Sequence, residues 1–134
     1  MVTNTEIEGY LARLGMPFDA VPGAEGLWVL HQPTNGDGGV LNVVVSHQPP
    51  LTVFRVKLMD VPTGDDQKVL GLFRKLLEFN ATDMIGGAYG IEENSVVCSE
   101  TLQSENLDFN EFRAAVEAMF LAITEHYRCL SDFR

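Results

Sequence analysis

The stretch Val40-Leu-Asn-Val-Val-Val-Ser-His-Gln-Pro-Pro-Leu-Thr-Val-Phe-Arg-Val-Lys-Leu-Met-Asp-Val61 decides the fold class. Two runs rich in Val, Phe and Leu, Val40 to His47 and Leu51 to Val61, flank Pro49-Pro50, which cannot donate to a ladder and suits a connecting turn. In the second run Phe54, Val56 and Leu58 alternate with Arg55, Lys57 and Met59. One face is then buried and the other at least partly wet, the mark of an antiparallel sheet. A link this short leaves no room for a helical crossover, so the two strands pair as neighbours.

Upstream, Phe18 to Val21 and Leu27 to His31 read as strands around a turn at Pro22 to Gly26, and Pro33 to Gly39 is dense enough in turn formers to be a hairpin loop. Before them Ile7, Tyr10, Leu11 and Leu14 recur at helical spacing, Thr3 and Glu6 form a capping-box pattern, and Gly15 with Pro17 stops the helix. Downstream, a second helix runs from about Asp65 to Phe79 behind a Thr63/Asp66 cap. Ile85 to Ile91 and Ser95 to Gln103 follow as strands joined by Glu92-Glu93-Asn94. The last helix runs from Asp108 to about Leu130, capped by Asp108 and Glu111, with Leu107 and Phe112 at the staple positions and an apolar stripe through Val116, Met119, Phe120, Ile123 and Tyr127. No linker or repeat interrupts this order. The expectation is one α+β domain over residues 1–134, a mainly antiparallel sheet with three helices in the order α-β-β-β-β-α-β-β-α.

A chain of 134 residues, 46% hydrophobic and 21% charged, buries enough surface to fold without disulfides or metal. Its net charge of −10 argues against duplex DNA, RNA backbone or an anionic membrane as partner, since these need clustered cations. Residues 83–125 carry nine carboxylates against Arg113 alone. That is a solvated face or a surface that attracts basic partners. The N-terminal sequence has acids in place of the basic start of a signal peptide, and no apolar run approaches a bilayer span. Cys98 and Cys129 are expected as free thiols, and the location as cytoplasmic.

Catalytic constellations are hard to place. His31, His47 and His126 lack the i, i+4 spacing of a helical zinc site and read as ordinary surface or strand-end histidines. Cys129 follows His126 by three residues, but without the cationic surround that lowers a thiol pKa. Gly86-Gly-Ala-Tyr-Gly90 has no P-loop Lys, so its glycines let a strand bend or a helix pack close. The loop Asn35-Gly-Asp-Gly-Gly39 is too poor in carboxylates for calcium. The expectation is a non-enzymatic protein without cofactor or metal.

One feature exceeds ordinary packing. Val69, Leu70, Leu72, Phe73, Leu76, Leu77 and Phe79 fill about half the circumference of the second helix at about 100° per residue. A helix on one sheet needs a narrower stripe. Either further layers of the monomer absorb the excess, or one edge of the helix meets a second subunit.

The segments Leu76-Leu-Glu-Phe-Asn80, Gly86-Gly-Ala-Tyr-Gly-Ile91, Val96-Val-Cys-Ser-Glu-Thr-Leu102 and Glu105-Asn-Leu-Asp108 resemble the YbjN-like and Tir-chaperone (CesT-type) family, related to type III secretion chaperones. The resemblance extends over most of the chain and rests on packing and capping residues. It implies helices on a twisted antiparallel sheet, a homodimer without enzymatic activity, and binding of an extended polypeptide along apolar patches. On this reading Leu72, Leu76 and Phe79 form the dimer edge of the second helix, with Val69 and Phe73 facing the sheet. Trp28, the only tryptophan, and Leu30 on the same strand face are the candidate client patch; core burial of Trp28 is the competing and more common reading. A ligand-binding or regulatory domain with a pocket between sheet and helices is the alternative function.

Overall fold

The computed structural model describes residues 2–33, 40–84 and 86–134. Its elements run α1 (Asn4–Leu14), β1 (Phe18–Ala20), β2 (Leu27–Pro33), β3 (Val40–Gln48), β4 (Leu51–Asp60), α2 (Asp66–Thr82), β5 (Ala88–Glu92), β6 (Ser95–Gln103) and α3 (Phe109–Ser131). Local chemistry sets the helix starts. Thr3 and Glu6 make the reciprocal capping box of α1, and Gly15 ends that helix in the left-handed region at φ 77°. Asp108 accepts the Glu111 N–H at the start of α3, beside buried Leu107 and Phe112. The cap of α2 lies two residues beyond the Thr63 expectation: Asp65 accepts the Lys68 N–H, after a turn at Gly64 with φ 84°. The loop expected at Pro33 to Gly39 falls almost entirely outside the described residues, as does Ile85 at the expected start of β5.

The six strands form one antiparallel sheet in the order β1-β2-β3-β4-β6-β5, leaving β1 and β5 at the edges. Two rows of paired residues make its inner face: Trp28, Val45, Phe54 and Glu100, then Leu30, Val43, Val56, Cys98 and Tyr89. All three helices lie on this side. Phe112 of α3 meets Phe54 edge-on at 5.1 Å, Tyr10 of α1 packs on Phe112 at 5.5 Å, and Trp28 Nε1 donates to Glu8 of α1 at 2.9 Å. Among the described residues no helix lies on the opposite face, where Val29, Val44, Arg55 and Ser99 stand in register. Alternation in β4 changes phase at a bulge between Lys57 and Met59, so Met59 is buried and Leu58 only half-buried, the reverse of strict alternation.

Candidate protein-binding surface

The wide apolar arc of α2 divides into an inner and an outer face, and the division reverses the expected one. Leu72, Leu76 and Phe79 are buried inside the chain's own core. Phe79 stacks on the His126 ring of α3 at 3.7 Å and 10° between planes. The outer edge carries Leu70 and Leu77, 61% and 68% exposed, with half-buried Phe73 between them. The three residues expected at a dimer edge, Leu72, Leu76 and Phe79, thus lie in the monomer core, and the outward margin of the helix is Leu70, Phe73 and Leu77. Spacing measured the width of the arc but carried no information on which of its margins the sheet occupies.

The expected client patch is likewise interior. Trp28 is 2% exposed and Leu30 0%, both in the inner rows of the sheet under α1.

Leu70, Phe73, Arg74, Leu77, Glu78 and Ala81 line a shallow depression on α2. Phe73 and Leu77 also border a cavity of about 260 Å³ that continues over Leu76, Asn80, Tyr89, Gly90 and Ile91. Ile91, on the edge strand, is 43% exposed. The apolar surface thus crosses from α2 onto β5. Gly90 has open space where a Cβ would stand, which gives the cavity its floor. Gly87 is different: at φ 79°, a Cβ would lie 2.7 Å from the Ser99 carbonyl, so only glycine lets the chain enter β5 here.

Asn80, the last residue of the Leu76-to-Asn80 segment, holds this joint from the α2 side. Its Nδ2 donates to the Tyr89 carbonyl at 3.0 Å, and the Tyr89 N–H donates to its Oδ1 at 2.8 Å. The amide acts as a one-residue substitute strand on the outer edge of β5.

Behind the joint lies His126, read from sequence as an ordinary histidine and here 4% exposed. Its Nε2 lies 2.9 Å from Asp83 Oδ2 and its Nδ1 2.7 Å from the Tyr89 hydroxyl. The carboxylate can only accept, so Nε2 carries a proton; in the neutral ring the tyrosine then donates to Nδ1. The hydrogen bond from His126, then that from Thr82, holds the Asp83 carboxyl below its usual range. Burial raises the Tyr89 hydroxyl far above its ordinary value. Neither group is poised for proton transfer near neutrality, and the network reads as a strut tying α3 to α2 and β5. The sequence did hold a signal: Phe112, Val116, Met119, Ile123, His126 and Leu130 follow alternating steps of four and three, all buried.

Elsewhere, Cys98 is a buried free thiol pushed up to about 12 by desolvation, with Glu100 adding to the effect. Cys129 is free and half-buried. Among the described residues no three His, Cys, Asp or Glu side chains converge as a metal site, and no helix is long and apolar enough to cross a membrane.

The CesT_Tir_1 family model matches residues 2–134. No curated protein matches the chain significantly. Among solved structures, YbjN from E. coli is similar with a TM-score of 0.68 at 19% identity, over 95% of this chain and 92% of that one. A chain of the heterodimeric ExoU–SpcU complex from the type III secretion system of Pseudomonas aeruginosa is similar with a TM-score of 0.59 at 16% identity, over 89% and 95% of the two chains. At these identities the likeness is one of fold, and it extends to the order of helices and strands. The family is settled by the match along nearly the whole sequence: the chain belongs to the CesT_Tir_1 family.

Proposed function

We propose that the protein is a non-enzymatic, chaperone-like module that works as a homodimer and binds an extended segment of another polypeptide. The observation that carries this reading is the apolar surface of Leu70, Phe73 and Leu77 on α2, continued by Ile91 on β5, in a chain of the CesT_Tir_1 family. The fold shared with a chain of a heterodimeric secretion complex supports a protein as client. A second copy suits the α2 surface for a reason of charge. Arg74 and Glu78 lie one helical turn apart at its rim, both exposed. A two-fold axis that brings Arg74 to Glu78 of the second copy also brings Glu78 to its Arg74, so the pair is self-complementary. The client is then left to the sheet edges and open face, where extended chains dock through main-chain hydrogen bonds.

Light scattering at micromolar concentration tests the dimer. The expected mass is twice the chain mass of 14.8 kDa, and a monomer mass overturns it. Affinity capture followed by mass spectrometry tests the client, with one polypeptide in stoichiometric amount as the expected result. A small molecule retained in native mass spectrometry would favour the alternative, a ligand domain using the cavity between α2 and β5.

A further inference from the structure

One buried ring holds the N-terminal turn of α1 to the sheet. His47 of β3 is 5% exposed, and its Nδ1 lies 2.7 Å from Oδ1 of Asn4, the first residue of the helix. An amide oxygen can only accept, so Nδ1 carries the proton of the neutral ring and Nε2 keeps its lone pair. Among the described residues Nε2 has no partner, and it is shut off from solvent. The main chain is packed to contact at the same point. The His47 N–H donates to the Gly26 carbonyl at 2.8 Å, and a Cβ on Gly26, at φ 69°, would lie 2.6 Å from the His47 carbonyl and 3.4 Å from Asn4 Oδ1. Just upstream of Asn4, buried Val2 has its N–H 3.4 Å from the Ser104 carbonyl. The Ser104 hydroxyl in turn meets that of Thr52, the residue paired with His47 in register, at 2.9 Å.

A second proton on this ring would be badly placed. It would make Nε2 a buried donor without an acceptor, and it would set a cation against the positive end of the α1 dipole. The groups against His47 are neutral: Asn4 from α1, the Gly26 carbonyl from the turn before β2, and Thr52 from β4. The carboxylates of the surrounding elements are engaged or face outward. Glu6 closes the α1 capping box, Glu8 accepts from Trp28 Nε1, and Glu25 and Glu105 are exposed. Among the described residues no carboxylate pairs with His47. Burial accordingly lowers its pKa below the ordinary 6.5. The rest of α1 is anchored separately, by fully buried Ile7 and Leu11 and by the Tyr10 hydroxyl, which donates to the Leu107 carbonyl at 3.1 Å. Water can therefore reach a charged His47 if the first turn alone lifts.

We propose that His47 is an acid-operated catch: its neutral ring holds residues 2–4 and the first turn of α1 on the sheet, and uptake of one proton releases them, uncovering Val2 and the Thr52 and Ser104 hydroxyls while the rest of the helix stays in place. The catch goes beyond the protein-binding reading and does not depend on it. With the released ring titrating near its ordinary value, the opening constant should rise about tenfold per pH unit from about 6.5 down to the folded pKa. NMR on the unaltered protein gives the first readout. The His47 ring should titrate below 6.5. Amide exchange at Glu6 and Ile7, whose N–H groups bond Thr3, should quicken beyond the intrinsic rate as pH falls from 6.5 to about 5, with exchange at Leu11 unchanged. His47→Gln keeps a neutral donor for Asn4 and should make exchange at Glu6 and Ile7 independent of pH over that range. Asn4→Asp sets a carboxylate against Nδ1 and should act the opposite way, raising the His47 pKa and slowing the exchange of both amides at pH 5.5 by about threefold or more. A His47 pKa at or above 6.5 in the unaltered protein, acid acceleration that persists in His47→Gln, unchanged exchange in Asn4→Asp, or equal acceleration at Leu11 would each overturn the catch. Should His47→Gln fail to fold, the titration of the unaltered protein and the Asn4→Asp exchange decide.

Discussion

The two ends of the sheet are built from opposite materials. At the β5 end Asn80 pairs the outward main-chain groups of Tyr89, and hydrogen bonds from half-exposed Asp83 through buried His126 to buried Tyr89 fix α2 and β5 against α3. What faces outward there is side chain: Leu70, Phe73, Leu77 and Ile91, rimmed by Arg74 and Glu78. At the β1 end a three-residue strand presents the main-chain groups of Phe18 and Ala20 beside an acidic groove. A rigid side-chain face is recognised by shape and suits one folded partner. A main-chain edge accepts many sequences and leaves selection to the groove beside it. On the proposed function the first end holds the second copy, and the client is left to the rest of the sheet, the β1 edge included.

The largest effect should separate the two faces of α2. Leu72→Glu places a carboxylate among fully buried side chains with no cation to pair it, a cost of about 3–5 kcal/mol. Loss of the folded circular-dichroism signature is expected, or a greatly lowered urea midpoint. Leu77→Glu lies on the outer face and should leave the monomer fold within about 0.5 kcal/mol while abolishing the dimer. A Leu72→Glu protein that is folded but monomeric would restore the original assignment of the helix edges.

These two leucines also show what the sequence could tell. Hydrophobic alternation, caps and the staple are relations between near neighbours, and they placed every strand and helix to within a few residues. The capping box at Thr3 and the entry of α3 at Asp108 were legible for that reason. The side of α2 that meets the sheet depends on where α3 lies, a long-range fact absent from periodicity. The same holds for Trp28, whose strand has apolar residues on both faces, and for the bulge that turns Met59 inward. The Asn80 clamp was visible only as a motif residue: its partner Tyr89 lies in the next element, and nothing in the spacing says that an amide will stand in for a strand. His126 was within reach, because it keeps the phase of the buried stripe, but a histidine on an apolar face is easily set aside.

Asn80→Ala should make the two ends alike. It leaves the Tyr89 N–H and carbonyl without their partner in a half-buried site, at about 1–3 kcal/mol. Faster amide exchange at Tyr89 is expected, together with concentration-dependent self-association through the opened edge. If exchange at Tyr89 does not change, the clamp does not close β5, and the contrast between the ends fails.

A smaller effect tests whether side chains are read at the β5 end. Arg74→Glu places like charges on the proposed two-fold contact and should weaken the proposed dimer by about 0.5–1 kcal/mol for each of the two symmetric pairs, less at high salt. Arg74→Glu combined with Glu78→Arg should restore it. A double variant as weak as the single one would show that the two residues do not meet across the axis.

The smallest effect is in pH, and it distinguishes the ends by the group that titrates at each. His47, near the β1 end, is buried with Nδ1 2.7 Å from Asn4 Oδ1, and among the described residues its Nε2 has no partner. Burial lowers its pKa below the ordinary 6.5. The unfolded chain therefore takes up the proton first, so the stability from the neutral ring is complete above about pH 6.5 and is lost as pH falls toward the folded value. His31, at the same end, is half-buried and shifted upward by its hydrogen bonds to Asn42 and then Asp19, so its contribution is present in acid and lost as pH rises through its folded value. Asp83 at the β5 end is lowered from 3.8, and its contribution disappears only below that pH. Amide exchange corrected for intrinsic rates should therefore show His47, whose N–H bonds the Gly26 carbonyl, losing protection between pH 7 and 5 while Tyr89 keeps its own until below pH 4. His47→Leu should abolish the first change without altering the second, and Asp83→Asn the reverse. Equal loss of protection at both ends between pH 7 and 5, persisting in His47→Leu, would mean that the sheet responds to acid as a single unit and that the ends are not independent.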